Sequence, residues 1–345
     1  MGTMRAAVIR EHGGFDRLQL EQLPMPQPGA GQVRIKVLAI GLNHLDTWVR
    51  RGVLGHTFPL PLIPGSDACG VVDALGAGAQ GCKEGDEVVV LPGVSCGVCE
   101  PCLSGVDPLC RQYQILGESR DGTCAEYVCV PAANIAPKPV NLSVSEAASV
   151  GLVFLTAWTM LVRKAGLRAG ETVLVHAGLS GVGSAAVQIA RLLGAQVIAT
   201  AGGAAKCAKV QALGAHHVID YQAKDFAAEV KVLTGKAGVD VVFEHVGAAT
   251  FAGSLRSLAR GGRLVTCGAT TGGGVQLSLH ALFFKNLSIL GSTMGSKGDL
   301  RRILLLFAQG QLRPVLDRVL PLLEIGQAHR LLEERATLGK LVLQP

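Results

Sequence analysis

ETVLVHAGLSGVGSAAVQIARLLGAQVIATA, residues 171–201, decides the fold of this chain. It opens on a β-rich run, ETVLVHA, and passes through a glycine-rich turn. It continues as a helix through SAAVQIARLLG and ends on a second β-rich run, QVIATA. Strand, tight turn, helix and strand in that order make one βαβ unit. Gly178, Gly181 and Gly183 let the turn tighten and the backbone come close to a ligand. The helix that follows offers its N-terminal N–H groups to a pyrophosphate. Ser180 stands at the third position of the usual Gly-x-Gly-x-x-Gly pattern, and Gly181 follows it. A glycine turn alone is a weak signal, but one lodged between a strand and a helix in a run of such units is strong. Gly178, Ser180, Gly181, Val182 and Gly183 are therefore candidate cofactor-binding residues.

Working outward, strands and helices go on alternating: KCAKVQALG, HHVIDY, KDFAAEVKVLTG, VDVVFEHVG, TFAGSLRSLAR, GRLVTCGA and LSILGSTM. This is the pattern of a doubly wound parallel sheet, a Rossmann domain over residues 146–285, in an α/β protein. Upstream, SVSEAASVGLVFLTAWTMLV reads as one helix, with Ser143 as N-cap and Glu146 as its capping-box partner. Residues 286–345 supply the last strand of the sheet, LSILGSTM, then helices and a final strand, GKLVLQP, that returns to the N-terminal domain. Strand ends face the ligand in such sheets. Thr200, His245, Thr266, Cys267 and Gly268 therefore join the candidate cofactor contacts, with helix capping as the alternative role for His245.

The second strand discriminates between cofactors. NAD sites carry an acid about 20 residues past the glycines to bond the ribose 2′-hydroxyl. Here VIATAGGAAK has no acid, and the next one is Asp220. Lys206 and Tyr221 are placed to meet a 2′-phosphate, so the pattern favours NADP(H) over NAD(H). A solvated lysine at a helix start and a packing tyrosine are the alternatives.

The first 145 residues are mostly β: VRIKVLAI, GVVDAL, DEVVVLP and AEYVCVP, separated by Gly/Pro-rich turns. Into this region is set CGVCEPCLSGVDPLC, within a lobe of residues 94–112. Cys96, Cys99, Cys102 and Cys110 are separated by gaps of two, two and seven residues. Clustered thiolates suit tetrahedral zinc at about 2.3 Å, and a site closed by four of them leaves no open position for water or substrate. Disulfides are the alternative, but cysteines two residues apart pair poorly. One structural Zn2+ per chain is expected.

With 345 residues, 49% hydrophobic and 17% charged, the chain has material for two domains and a large core. No apolar run is long enough and free enough of charge and glycine to span a membrane, and MGTMRAAVIREHGG has no apolar signal core; a cytoplasmic protein is expected. A net charge of +6, without a basic run and with few aromatics, argues against nucleic-acid binding. Cys69, Cys82, Cys124, Cys129, Cys207 and Cys267 are scattered, as small hydrophobes are.

PMPQPGAGQVRIKV, GLNHLD, PLIPGSDACGVV, GDEVVV, the four-cysteine lobe, AEYVCVP and AGLSGVG together resemble the medium-chain dehydrogenase/reductase superfamily over essentially the whole chain. That resemblance implies a partly barrel-like, GroES-like catalytic domain, a Rossmann domain, a cleft active site between them, and a homodimer or homotetramer. The zinc alcohol dehydrogenases of the superfamily hold a catalytic zinc by a Cys, the His of a GHE motif, and a third Cys or acid. Asn43, Gly65-Ser66-Asp67 and the region of Leu152 stand at those positions here. GLNHLDTWVRRG is closer to the quinone oxidoreductase branch, which has no catalytic metal, uses NADPH and matches Lys206 and Tyr221. That branch usually lacks the zinc lobe present here.

The resemblance and the missing ligands imply hydride transfer from NADPH to a quinone or an α,β-unsaturated carbonyl, whose reduced anion is delocalised. Asn43 would donate a hydrogen bond to the acceptor oxygen, His44 or solvent would supply the proton, and Asp46 would orient the loop. Asn43 fixing its own turn, His44 as a cleft wall, and Asp67 pairing with Arg50 or Arg51 are the structural alternatives. Two rivals stay open. One is a zinc-type alcohol dehydrogenase with an unusual metal site from His44, Asp67 and His56. The other is an NADPH-binding or RNA-binding protein without turnover.

Overall fold

A computed structural model describes residues 2–345. The chain forms two compact units. One runs to Leu155 and resumes at Gly295–Pro345; the other is Thr156–Met294.

The second unit is built on a six-stranded, all-parallel sheet. Across the sheet the strands are His217–Asp220, Gln196–Ala201, Thr172–Val175, Val239–Glu244, Leu258–Thr266 and Ser288–Gly291. In chain order that is 3-2-1-4-5-6, the doubly wound order. Leu174, Ile198, Ile219, Val242 and Leu264 carry one apolar core across five of the six strands. Their near-continuous apolar runs fit a sheet covered on both faces. The helices between strands include Gly181–Leu192, Ala204–Ala212, Phe226–Leu233 and Ala248–Ser257.

In the first unit a seven-stranded sheet places Leu316–Pro321, Lys340–Gln344, Gln32–Gly41, Asp67–Leu75, Glu87–Val90 and Ile135–Pro137 side by side, and Tyr127–Pro131 also pairs with Gln32–Gly41. The C-terminal strand thus returns to the N-terminal region, antiparallel to Gln32–Gly41, with Val342 opposite Gly41. Val33, Ile35, Val72, Val88, Val128 and Leu341 form the shared core. The cysteine lobe is closed at its base by a two-residue ladder, Gly93–Val94 against Gln114–Ile115. Of the six scattered cysteines, Cys69 and Cys124 are buried and the other four half-buried.

The segment read as one helix from Ser143 is three. Val144–Ala148 starts on the expected capping box, with Glu146 Oε2 accepting from Ser143 N at 2.9 Å and Ser143 Oγ accepting from Glu146 N at 3.3 Å. The chain then breaks, resumes as Gly151–Trp158, and widens to a π-helix at Thr159–Lys164. The break has a tertiary cause. Leu152 N donates to Asp67 Oδ1 at 2.7 Å, and Gly41 packs so tightly that a Cβ there would lie 2.1 Å from Ala148 O.

Candidate functional site

Gly41 ends its strand, and the chain turns through Leu42 and Asn43 into the helix His44–Arg51. A buried network surrounds this turn. Asn43 Nδ2 donates to Gly41 O at 3.2 Å and to Asp67 Oδ2 at 3.0 Å. Lys340 Nζ donates to Asn43 Oδ1 and to Leu42 O, both at 2.6 Å, and stands 3.7 Å from Asp67 Oδ2. Asp46 accepts from Asn43 N at 2.7 Å and from Gly65 N at 3.2 Å. Asn43, Asp46, Asp67 and Lys340 are each at most 6% exposed.

Burial dominates the electrostatics of this cluster. It pushes Asp46 up to about 7 against its two backbone hydrogen bonds, and it raises Asp67 although Lys340 opposes it. It lowers Lys340 despite the two carboxylates. Two acids share one lysine, so Asp46 is the group poised between its charged and neutral forms at neutral pH.

Asp67 therefore pairs with Lys340; Arg50 is bound instead to Glu333. Asn43 has both amide hydrogens and its carbonyl engaged, which makes it a brace for the turn that carries His44. His56 pairs with Glu118 at 2.9 Å. His44, Asp67 and His56 do not gather: among the described residues, the four lobe cysteines alone form a group with metal-ligand spacing.

In the lobe, the sulfurs of Cys96, Cys99, Cys102 and Cys110 all lie within 4.8 Å of one another. Sγ of Cys99 and Cys102 are 3.4 Å apart, and those of Cys96 and Cys102 3.9 Å. Tetrahedral zinc at about 2.3 Å requires sulfurs about 3.8 Å apart, so the donor set fits the ion. The N–H of Val98, then of Cys99, draws the Cys96 thiol down to about 6, and Gln112 N donates to Cys110 Sγ at 3.4 Å. Lys297 ties the lobe down: its N donates to Asp107 Oδ2 at 2.8 Å and its Nζ to Ser95 Oγ at 2.6 Å.

In the other unit, Ser180 caps the helix Gly181–Leu192, its Oγ accepting from Gly183 N at 3.0 Å. A Cβ at Gly183 would lie 2.2 Å from Ala177 O, so only glycine fits there. Ala177 sits at φ 44°, and its N–H donates to Thr200 Oγ1 at 3.1 Å. Thr200 is 2% exposed and supports the loop from below. Beneath it lies a polar cluster that the sequence reading missed. His176 Nδ1 is 3.3 Å from Thr200 Oγ1 and its Nε2 2.9 Å from Ser254 Oγ; Ser254 donates to Glu244 Oε2 at 2.7 Å. Glu244 also accepts from Val246 N, Gly247 N and Thr250 Oγ1. Burial holds His176 neutral, at about 4. His245 Nε2 donates to His176 O at 2.9 Å, and Cys267, its thiol pushed up to about 12 by burial, donates its N–H to Glu244 O.

At the end of Gln196–Ala201, Gly202 and Gly203 precede the Lys206 helix. Asp220, the first acid after the glycine loop, is spent on Gly203 N at 3.1 Å and Gln222 N at 3.0 Å. The Tyr221 hydroxyl lies against Gly202, where a Cβ would come within 2.7 Å of it. Lys206 is half-buried on the adjoining helix and Tyr221 is exposed. Gly268 lies two residues past the Leu258–Thr266 strand, its O accepting from Thr266 Oγ1 at 3.3 Å.

Two family models match: "Zinc-binding dehydrogenase" over residues 181–309 and "Alcohol dehydrogenase GroES-like domain" over 29–140. The human "Quinone oxidoreductase" is 30% identical over 99% of this chain and 97% of its own length. A solved "NAD-dependent alcohol dehydrogenase" is 52% identical with TM-score 0.95, covering 99% of this chain and all of the other. A crotonyl-CoA carboxylase/reductase "in complex with NADP" is 27% identical with TM-score 0.91, covering 99% of this chain and 94% of the other.

Proposed function

The chain belongs to the zinc-binding medium-chain dehydrogenase/reductase family, in its alcohol dehydrogenase and quinone oxidoreductase-like range, and is an NAD(P)-dependent oxidoreductase; on that premise we propose that it reduces a quinone or an α,β-unsaturated carbonyl without a catalytic metal.

One observation carries this reading. Two of the positions where the family's zinc alcohol dehydrogenases place catalytic ligands carry Asn43 and Ser66 here, and both side chains are engaged within the fold, Ser66 Oγ donating to Leu116 O at 2.8 Å. Asn43 is locked to Asp67 and Lys340, and Asp67 also takes Leu152 N. A simple ketone or alcohol profits from a Lewis acid on its oxygen, whereas a conjugated acceptor delocalises the charge that hydride addition creates.

The nicotinamide cofactor, when bound, supplies the hydride. This chain's residues do the rest. The N–H groups at the start of Gly181–Leu192, with Gly178, Ser180, Val182 and Gly183, hold the pyrophosphate. Lys206 and Tyr221 meet a 2′-phosphate, and VIATAGGAAK after the glycine turn carries no acid to repel it, so NADP(H) is preferred. His245, Cys267 and Gly268 flank the nicotinamide end. Asn43 and Asp46 hold the turn rigid, and His44, the first residue of its helix, gives the proton. The lobe zinc is structural.

The chain is expected to work as a homodimer in the cytoplasm. Ser288–Gly291 is an uncovered sheet edge, and Leu279, Phe283 and Phe284 beside it are more than half exposed. Among the described residues no helix is long and apolar enough to cross a membrane.

NAD-dependent alcohol oxidation is the second reading, favoured by the 52% identity to a structure of that description. Steady-state rates with NADPH and NADH against a quinone, an enone and a primary alcohol separate the two. NADPH-dependent reduction of the conjugated acceptors supports the proposal; NAD-dependent alcohol turnover with inert quinones replaces it.

A further inference from the structure

Within the second unit, strands Thr172–Val175 and Val239–Glu244 lie side by side where the strand order reverses, the crevice in which a doubly wound sheet takes its ligand. One buried chain of hydrogen bonds crosses beneath it. Ala177 N donates to Thr200 Oγ1 at 3.1 Å, and His176 Nδ1 lies 3.3 Å from the same oxygen. His176 Nε2 lies 2.9 Å from Ser254 Oγ, which donates to Glu244 Oε2 at 2.7 Å. His176, Thr200, Ser254 and Glu244 are each at most 2% exposed.

The direction of every hydrogen in this chain follows from its far end. The Glu244 carboxylate is met by donors: Val246 N, Gly247 N and the hydroxyls of Thr250 and Ser254. That surrounding suits an ionised carboxylate, which only accepts. The one hydroxyl hydrogen of Ser254 is spent on it, so Ser254 Oγ accepts from His176, and the neutral ring carries its proton on Nε2. Nδ1 is then bare and accepts from the Thr200 hydroxyl, whose oxygen accepts from Ala177 N. The chain ends on the glycine turn. Ala177 holds φ 44°, a left-handed conformation unusual for a residue with a Cβ. Its N–H and that of Gly178 both point to Thr200, at 3.1 and 2.8 Å. The N–H groups of Gly181 and Val182, opening the next helix, have no acceptor among the described residues and are left for an anion.

We propose that Glu244 is a positioning residue for the cofactor: through Ser254, His176 and Thr200 it fixes the hydrogen-bond direction that holds the Ala177–Gly178 turn in shape for the pyrophosphate. This rests on the cofactor site proposed above. The carboxylate polarises each link in the same sense. The Ala177 N–H is thereby drawn inward, and the N–H groups of Gly181 and Val182 are left facing the ligand. From the other side of the crevice, His245 Nε2 donates to His176 O at 2.9 Å and ties the same residue to the end of Val239–Glu244.

Two experiments test it. The first needs no cofactor. Nitrogen NMR of the isotope-labelled full chain, with His176→Gln assigning the signal, is expected to show His176 with a protonated Nε2 and a bare Nδ1; the opposite tautomer overturns the proposal. The second is the dissociation constant for NADPH and for NADH, read by fluorescence titration. Thr200→Val is expected to weaken both about tenfold, because both carry the same pyrophosphate. Thr200→Ser, which keeps the hydroxyl, is expected to stay within about twofold of wild type. Glu244→Gln, whose amide can donate to Ser254 and so frees the direction of the chain, is expected to weaken both cofactors by one common factor; Ser254→Ala replaces it if that variant does not fold. Thr200→Ser as weak as Thr200→Val, a loss confined to one cofactor, or wild-type affinity at the far end of the chain overturns the positioning role alone. A wild-type protein that binds neither dinucleotide overturns the cofactor site, and the positioning role with it.

Discussion

Lys340 Nζ lies 2.6 Å from Asn43 Oδ1, which joins the C-terminal strand to the turn before the His44 helix across 297 positions of sequence. The same ammonium is 3.7 Å from Asp67 Oδ2. The braced turn therefore depends on a residue from the far end of the chain.

Removing that charge strands two buried acids. Lys340→Met is expected to cost about 3–5 kcal/mol, the usual effect of breaking one side of a buried ion pair. Adding Asp67→Asn to it is expected to cost much less than the two single changes summed, because each single change leaves the other group unpaired. Urea denaturation of the three variants measures this; additive losses would show that the pair is not coupled.

The lobe metal is expected to hold structure. Cys99→Ser should lose the ion and lower the melting temperature, while the dissociation constant for NADPH stays within about twofold because all four thiolates are used on the metal and none is left for substrate. Elemental analysis and thermal denaturation read the first two effects, and fluorescence titration the third.

Lys206→Ala is expected to weaken NADPH about tenfold, roughly 1.4 kcal/mol, and to leave NADH unchanged, since only the 2′-phosphate distinguishes the two. Equal weakening of both cofactors would place Lys206 elsewhere.

Acid is expected to destabilise the protein through His176. A buried histidine whose native pKa is about 4 against an ordinary 6.5 contributes stability that is complete above pH 6.5. The contribution is lost as pH falls toward 4, because the unfolded chain takes up the proton first. Each pKa unit corresponds to about 1.4 kcal/mol. Asp46, raised to about 7, works in the opposite sense: its share is complete below its ordinary 3.8 and is lost as pH rises through 7. His176→Gln is therefore expected to flatten the fall in denaturation midpoint between pH 6.5 and 5; an unchanged slope would assign that fall to other groups.

The doubly wound unit was legible because its signals are local. A glycine turn between strand and helix, and β-rich runs at regular intervals, need no distant partner to be read. The four cysteines were legible for the same reason: one loop supplies the whole donor set. Lys340, Glu244 and His176 were not, because each works across the fold. Lys340 reads as an ordinary lysine at a strand start until that strand is seen beside Gln32–Gly41. The break at Ser149–Val150 was hidden in the same way, since it follows from the Asp67 carboxylate taking Leu152 N.

Zinc per chain, measured on protein that is actively reducing a quinone, tests the central claim most directly. The account predicts one zinc per chain, with reduction surviving a mild chelator that leaves the cysteine lobe loaded. Two zincs per chain, with activity lost as the second is withdrawn, would contradict it and restore a metal-assisted alcohol dehydrogenase.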